Sequence, residues 1–418
     1  MKLEEVAARF GTPAYVYSAG TIRENFRRLD RALAPLDRMI CYAVKANSNT
    51  AILDLLVREG AGFDIVSAGE LFRVLKAGGR ADRCTFAGVG KTAEEIAWAL
   101  KRGIYCLNVE SEPELERINA VAGSLGLVAP IALRVNPDVD AQTHEFISTG
   151  KSKNKFGIGL DRASAVYAAA AAMPHLRIRG VQMHIGSQIL DAGPFAEAAG
   201  KLAGLVADIH ARHGIEFFSI GGGIGIVYDR ALASGDPAWW QSPDHPHRIT
   251  PEDYAAAIVP VLAPLGLKIL FEPGRFIVGN AGVVLSTVQY VKTTPAKTFA
   301  IVDSAMNDLI RPALYEGWHE IVPLEESRAP LVPMDVVGPV CESGDFFAQD
   351  RDLPPLAPGD RIAVLSSGAY GFVMSSNYNS RPLLPEILVD GKSMHLIRRR
   401  QSLEDLVAGE TIPRTQTS

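Results

Sequence analysis

The chain has 418 residues, enough for two domains or for one large barrel with an added module. Its 42 Lys and Arg against 47 Asp and Glu leave a net charge of -5, which gives a nucleic-acid partner no electrostatic support. A 47% hydrophobic fraction allows a large core, yet no apolar run reaches the roughly 18 residues that a membrane span needs.

The first residues, Met-Lys-Leu-Glu-Glu, carry acids where a signal peptide would carry an apolar core. The four cysteines (Cys41, Cys84, Cys106, Cys341) are scattered without metal-like spacing and read as reduced thiols of a cytoplasmic protein. A short helical start leads to Ala14-Tyr-Val-Tyr17, a plausible strand. Ile22, Phe26, Leu29 and Leu33 then recur at helical spacing.

From there a strand-then-helix alternation sets in. Short apolar runs occupy 40–45, 62–66, 84–88, 104–109, 131–136, 180–185, 217–221 and 268–272. Helical patterns such as Ile52-Leu53-Leu55-Leu56 and Leu115-Ile118-Val121 lie between them. Repeated βα units imply a parallel sheet, and this many imply a closed (β/α)8 TIM barrel, with an open doubly wound sheet as the alternative. After residue 276 the helical periods stop. Runs at 283–291, 299–302, 334–337 and 361–365, separated by Gly and Pro turns, predict an all-β domain. The expected division is a barrel over 22–276 and a β domain over 1–21 and 277–418, with the early strand joining the latter.

A barrel places its active residues at the C-terminal ends of its strands. Unusual polar residues collect there: Lys45, Asp64 with Ser67 and Glu70, Arg134 and Asn136, His184 and Ser187, Gly221-Gly-Gly223, and Glu272-Pro-Gly-Arg275. Lys45 closes the β-prone run Ile40-Cys-Tyr-Ala-Val-Lys45. A buried ammonium must be paired, neutralised or used, and an amine at a strand end is placed to react with an aldehyde. On that run alone, a lysine emerging into solvent reads as well.

The glycine loop lets backbone N–H groups approach a phosphate, and the small-residue turn Glu272-Pro273-Gly274-Arg275 adds a neighbouring loop where barrels often bind one. Phosphate plus lysine suggests pyridoxal 5'-phosphate. Glu272 is then the carboxylate to face the ring nitrogen, or else the ion-pair partner of Arg275. His184 is an imidazole to stack on the ring, or else a core histidine bonded to a carbonyl.

In the β domain, Gly338-Pro-Val-Cys-Glu-Ser-Gly-Asp345 sets Cys341, a possible proton donor, beside Glu342, a possible ammonium ligand. Their alternatives are a structural thiol and a solvated acid. Arg311 and Tyr315 suit a carboxylate, and Tyr370 projects from Gly368-Ala-Tyr-Gly371. His245-Pro-His247 is too isolated to read as a metal site, so no metal is expected.

Taken together, Tyr42-Ala-Val-Lys-Ala-Asn47, Asp64-Ile-Val-Ser-Ala-Gly-Glu70, Asn154-Lys-Phe-Gly-Ile158, His184-Ile-Gly-Ser-Gln188, the triple glycine, Glu-Pro-Gly-Arg, Met306 to Tyr315, Cys-Glu-Ser-Gly-Asp and Gly-Ala-Tyr-Gly resemble the fold-type III, pyridoxal-phosphate-dependent decarboxylases. The likeness runs in order from about residue 12 to about 390. Within that family it is similar to the members that act on meso-2,6-diaminopimelate and release L-lysine and carbon dioxide.

The resemblance implies a role for each matching residue. Lys45 would hold the cofactor's aldehyde carbon, with Asp64 in the same cofactor site, and His184 would stack on the ring. Ser187, Gly222, Gly223 and the backbone of Pro273, Gly274 and Arg275 would hold the phosphate, while Glu272 would face the ring nitrogen. Arg275, Arg311 and Tyr315 would bind the substrate's distal carboxylate, Glu342 its distal ammonium, and Tyr370 both cofactor and substrate. Cys341 would donate the proton. It further implies a homodimer in which the Cys341–Glu342 loop comes from the partner subunit.

Two departures stand out: the stretch 228–249, long and aromatic with Trp239 and Trp240, and Ile226-Val-Tyr-Asp229, which lacks a proline beside its tyrosine. Three rival readings are a decarboxylase of another or carrier-bound amino acid, a racemase on the same barrel, and a non-catalytic cofactor-binding homologue. A racemase would need a second base facing Lys45. Loss of Lys45 or Cys341 would favour the homologue, and both are present.

Overall fold

The structure, a computed structural model, describes residues 2–139, 155–228 and 249–413. The chain forms two compact units. One runs from Gly20 to Val227 and resumes at Ile249 through Asn280. The other takes the chain up to Ala19, Tyr228, and what is described from Ala281 onward.

The first unit is a closed parallel barrel. In chain order, β1 (Ala14–Ser18) belongs to the other unit, and the barrel begins with β2 (Arg38–Ala43). It continues with β3 (Gly62–Ile65), β4 (Cys84–Phe86), β5 (Cys106–Val109) and β6 (Ala129–Asn136). A two-residue strand, β7 (Ile158–Gly159), pairs with β6 outside the ring, which β8 (Leu176–Gln182), β9 (Phe217–Ser219) and β10 (Lys268–Phe271) complete. Pairing of β10 with β2, Ile269 opposite Arg38, and of β5 with β6 closes it. All eight sequence runs became strands within a few residues of their expected limits. Strand period and helix period differ, so the alternation survives in the sequence.

Met39, Cys41, Cys106, Ala132, Phe217 and Leu270 fill the barrel's interior. A Cβ at Gly180 would stand 2.7 Å from the Phe217 ring, so the glycine makes room for that side chain. Burial pushes the Cys84 thiol up to about 12 and that of Cys41 well above its usual range, which makes both inert packing groups. Several strand-to-helix turns end on a capping residue. Asn49 accepts from the Ala51 N–H and Thr92 from that of Glu95. Ser67, expected at the barrel mouth for its polarity, is also such a cap: its Oγ accepts from the Glu70 N–H, and Glu70 answers by accepting from the Val66 N–H.

The second unit is a nine-stranded sheet with the short helix Leu3–Phe10 packed on it. Its strands are β11 (Gly282–Thr293), β12 (Thr298–Val302), β13 (Ile321–Pro323), β14 (Val332–Val337), β15 (Phe346–Leu353), β16 (Arg361–Val364), β17 (Glu386–Asp390) and β18 (Ser393–Arg398), with β1 between β11 and β17. The N-terminal strand thus lies in the C-terminal sheet, antiparallel to one neighbour and parallel to the other. Val6, Ala7, Ala14, Val16, Leu285, Ala363 and Ile387 form a shared core, which ties the two ends of the chain together. Among the described residues no helix is long and apolar enough to cross a membrane.

Candidate active site

Lys45 does not end its strand. It sits in the single 3-10 turn Val44–Ala46 that follows β2. Its Nζ donates to Asp64 Oδ2 at 2.8 Å; the amine side is 39% exposed and the carboxylate 0%. The ammonium therefore reaches a buried anion from an open side.

Glu272 is the first residue past β10 and is buried. Its carboxylate accepts from Ser219 Oγ at 2.7 Å and from Gln182 Nε2 at 3.1 Å. Burial, then the negative charge of Asp64, pushes Glu272 up to about 7. A carboxyl so poised gains strongly from a cation placed against it, such as a protonated ring nitrogen. Neither Ser219 nor Gln182 stood out in the sequence. Their signal was slight: each is a polar side chain at the last position of its strand.

His184 lies two residues beyond β8. The Gly222 N–H donates to its Nδ1 at 3.3 Å. Burial, then the positive charges of Arg134 and Lys45, holds the imidazole well below its usual range, so the ring is neutral with Nδ1 as the acceptor. A neutral flat ring is suited to stacking. Ser187 Oγ accepts from Arg275 Nη2 at 3.1 Å, and Arg275 opens the short helix Arg275–Val278. Arg134 and Asn136 close β6. Arg134 pairs with Glu110 at 3.0 Å, and Asn136 Oδ1 accepts the Asp138 N–H.

The loops after β9 and β10 press together. A Cβ at Gly222 would stand 2.0 Å from the carbonyl oxygen of Glu272, which only glycine avoids, and one at Gly274 would stand 2.9 Å from Ala46 Cβ. The result is a stretch of backbone without side chains, packed against the turn that carries Lys45. Asp64 Oδ1 and Gln182 Oε1 are buried without a hydrogen-bond partner among the described residues. These features fit pyridoxal phosphate: an amine for its aldehyde, a glycine cradle for its phosphate, a poised carboxyl for its ring nitrogen, and buried acceptors awaiting polar partners.

In the β unit, Arg311 begins the helix Arg311–Tyr315, with Tyr315 half-buried at its end. Its guanidinium lies 4.4 Å from the centre of the Tyr228 ring, and Nη1 is 2.6 Å from His319 Nε2. Cys341 and Glu342 are exposed on one loop. Asp345 shapes that loop, its carboxylate accepting from the N–H groups of Met306 and Val340 at 2.6 Å each. Tyr370 is half-buried and held at φ 54°, a left-handed conformation that a bulky residue adopts only under constraint.

Residues 229–248 are outside the described residues, and with them Trp239, Trp240 and the His245–His247 pair; Asn154 is outside as well. Among the described residues no group of three or more His, Cys, Asp or Glu is arranged to hold a metal ion.

Residues 19–279 match the family described as pyridoxal-dependent decarboxylase, pyridoxal binding domain. The chain is 51% identical over 413 residues to a diaminopimelate decarboxylase of Pseudomonas aeruginosa, covering 98% of this chain and 95% of that protein. It is 48% identical over 416 residues to one of Vibrio cholerae, covering 98% and 95%. Among solved structures, a diaminopimelate decarboxylase of Helicobacter pylori complexed with L-lysine superposes with a TM-score of 0.90 at 43% identity, covering 97% of this chain and 98% of that one.

Proposed function

The chain belongs to the pyridoxal-dependent decarboxylases, and on that premise we propose that it removes carbon dioxide from meso-2,6-diaminopimelate to release L-lysine, the last step of lysine biosynthesis. What carries the reading is Lys45 seated on the buried carboxylate of Asp64, with the buried and raised Glu272 near it, in a chain 51% identical to a diaminopimelate decarboxylase over 98% of its length.

Bound pyridoxal phosphate supplies the electron sink for the pair left behind as carbon dioxide departs. The protein's residues do the rest. Lys45 is the amine that would hold the cofactor's aldehyde carbon. Glu272 keeps the ring nitrogen protonated, and Ser219 and Gln182 keep Glu272 in place. Neutral His184 offers its ring face. Ser187, Gly222, Gly223 and the backbone of Pro273, Gly274 and Arg275 hold the phosphate. Arg275, Arg311 and Tyr315 bind the distal carboxylate, Glu342 the distal ammonium, and Tyr370 contacts cofactor and substrate. Cys341 delivers a proton from its Sγ to the carbon that lost its carboxylate.

The same reading makes the protein a cytoplasmic homodimer in which the Cys341–Glu342 loop serves the substrate held by a second copy. Exposure of both residues supports that part.

The test is carbon dioxide release by cofactor-loaded protein offered meso-diaminopimelate, L-lysine, L-ornithine and L-arginine. Release from diaminopimelate alone, with L-lysine as product, is expected. Release from another of these, or from none, overturns the substrate.

A further inference from the structure

We infer that His319 is a positioning residue for substrate recognition: it sets the plane of the Arg311 guanidinium. The inference rests on the reading of Arg311 as a carboxylate-binding group.

His319 is fully buried, and both ring nitrogens are engaged. Nδ1 lies 2.7 Å from the carbonyl oxygen of Leu365. A carbonyl only accepts, so Nδ1 carries the hydrogen. Nε2 lies 2.6 Å from Arg311 Nη1. A guanidinium only donates, so Nε2 must present its lone pair. The two contacts together admit one state, the neutral ring protonated at Nδ1. An imidazolium would set N–H against N–H.

The backbone that carries the ring is held as well. Arg351 Nη1 donates to the backbone carbonyl of His319 at 2.9 Å, and the Arg351 guanidinium lies 3.3 Å from the centre of the Trp318 ring. The Leu365 N–H donates to the carbonyl of Glu320 at 2.8 Å. Tyr228 meets both partners, its ring edge-on to His319 at 5.3 Å and beneath the Arg311 guanidinium at 4.4 Å. Arg311 is thus fixed through one N–H and through its face. The plane of the fork decides whether a carboxylate is met by two parallel N–H bonds or by one.

The test uses the cofactor-loaded protein and two competitive ligands, L-lysine and 1,5-diaminopentane. They differ by the carboxylate. His319→Asn keeps a donor for Leu365 and loses the acceptor facing Arg311. His319→Gln keeps an acceptor at that position. With His319→Asn, L-lysine should bind roughly tenfold more weakly and KM for meso-diaminopimelate should rise in parallel, the scale of one hydrogen bond to a charged group. Binding of 1,5-diaminopentane and kcat should hold, and His319→Gln should restore L-lysine binding.

Equal weakening of both ligands by His319→Asn, or equal impairment by the two variants, reduces His319 to a structural role and overturns the inference. Arg311→Ala separates the premise. If it leaves the preference for L-lysine unchanged, the reading of Arg311 fails, and the inference with it. If it abolishes the preference while His319→Asn does not alter it, the inference alone fails. The wild-type protein offers a check that needs no variant to fold: nitrogen NMR of His319 should show the Nδ1–H tautomer, and an Nε2–H or doubly protonated ring overturns the inference.

Discussion

Lys45 Nζ stands 2.8 Å from Asp64 Oδ2, an exposed-side ammonium seated on a fully buried carboxylate. The pair couples the residue that would hold the cofactor to the barrel's interior. Removing one member leaves the other without its counter-charge, and the buried member suffers more.

Lys45→Ala should therefore do more than abolish activity. It should lower the stability of the cofactor-free protein by about 2 kcal/mol, because Asp64 stays buried without its cation. Adding Asp64→Asn should recover much of that loss. Denaturant unfolding of the two single variants and the double variant measures the coupling. Strict additivity would show the pair to be energetically idle.

Glu272 predicts a pH dependence. Burial raises its carboxyl from 4.5 to about 7, so across that interval the folded chain holds a proton the unfolded chain has released. Its contribution to the stability of the cofactor-free protein is fully present below 4.5 and is lost as pH rises through about 7. Glu272→Gln cannot lose it. The variant's stability relative to wild type should climb across that interval, and midpoints that run parallel at every pH would contradict this. In the loaded enzyme the same change should cut kcat by about 100-fold or more, since a neutral amide cannot hold the ring nitrogen's charge.

A methyl group at Gly222 has nowhere to go: its nearest neighbour, 2.0 Å away, is backbone and cannot swing aside. Gly222→Ala should cost about 2 kcal/mol or more of stability and weaken cofactor binding, seen as loss of the bound-cofactor absorbance on dilution. Retained affinity with full stability would mean that the two loops part easily.

Asp345 and Cys341 should separate loop shape from loop chemistry. Asp345→Ala strands the N–H groups of Met306 and Val340 and should cost about 2 kcal/mol. Cys341→Ala, at an exposed position, should leave stability unchanged and lower kcat by roughly 100-fold, the scale of a lost general acid. Unchanged kcat in the cysteine variant would remove the thiol from the proton-donor role.

By itself the sequence determined the alternation of strand and helix, the change of pattern after residue 276, and the polar residues at the strand ends. These are local features: a period of two against 3.6, a glycine where backbones must approach, a lysine where an apolar run should continue. Tertiary structure decided what those residues touch. Ring closure brings Ser219 and Gln182, from two different strands, onto the carboxylate of Glu272. Strand β1 finds its neighbours hundreds of residues away, where hydrogen bonding across a sheet ignores sequence distance. His319 carried no motif, because its meaning lies in two acceptor-and-donor contacts that exist only once Leu365 and Arg311 are folded around it. Periodicity and turn chemistry are written along the chain, whereas the partner of a buried polar group is set by the register and packing that bury it.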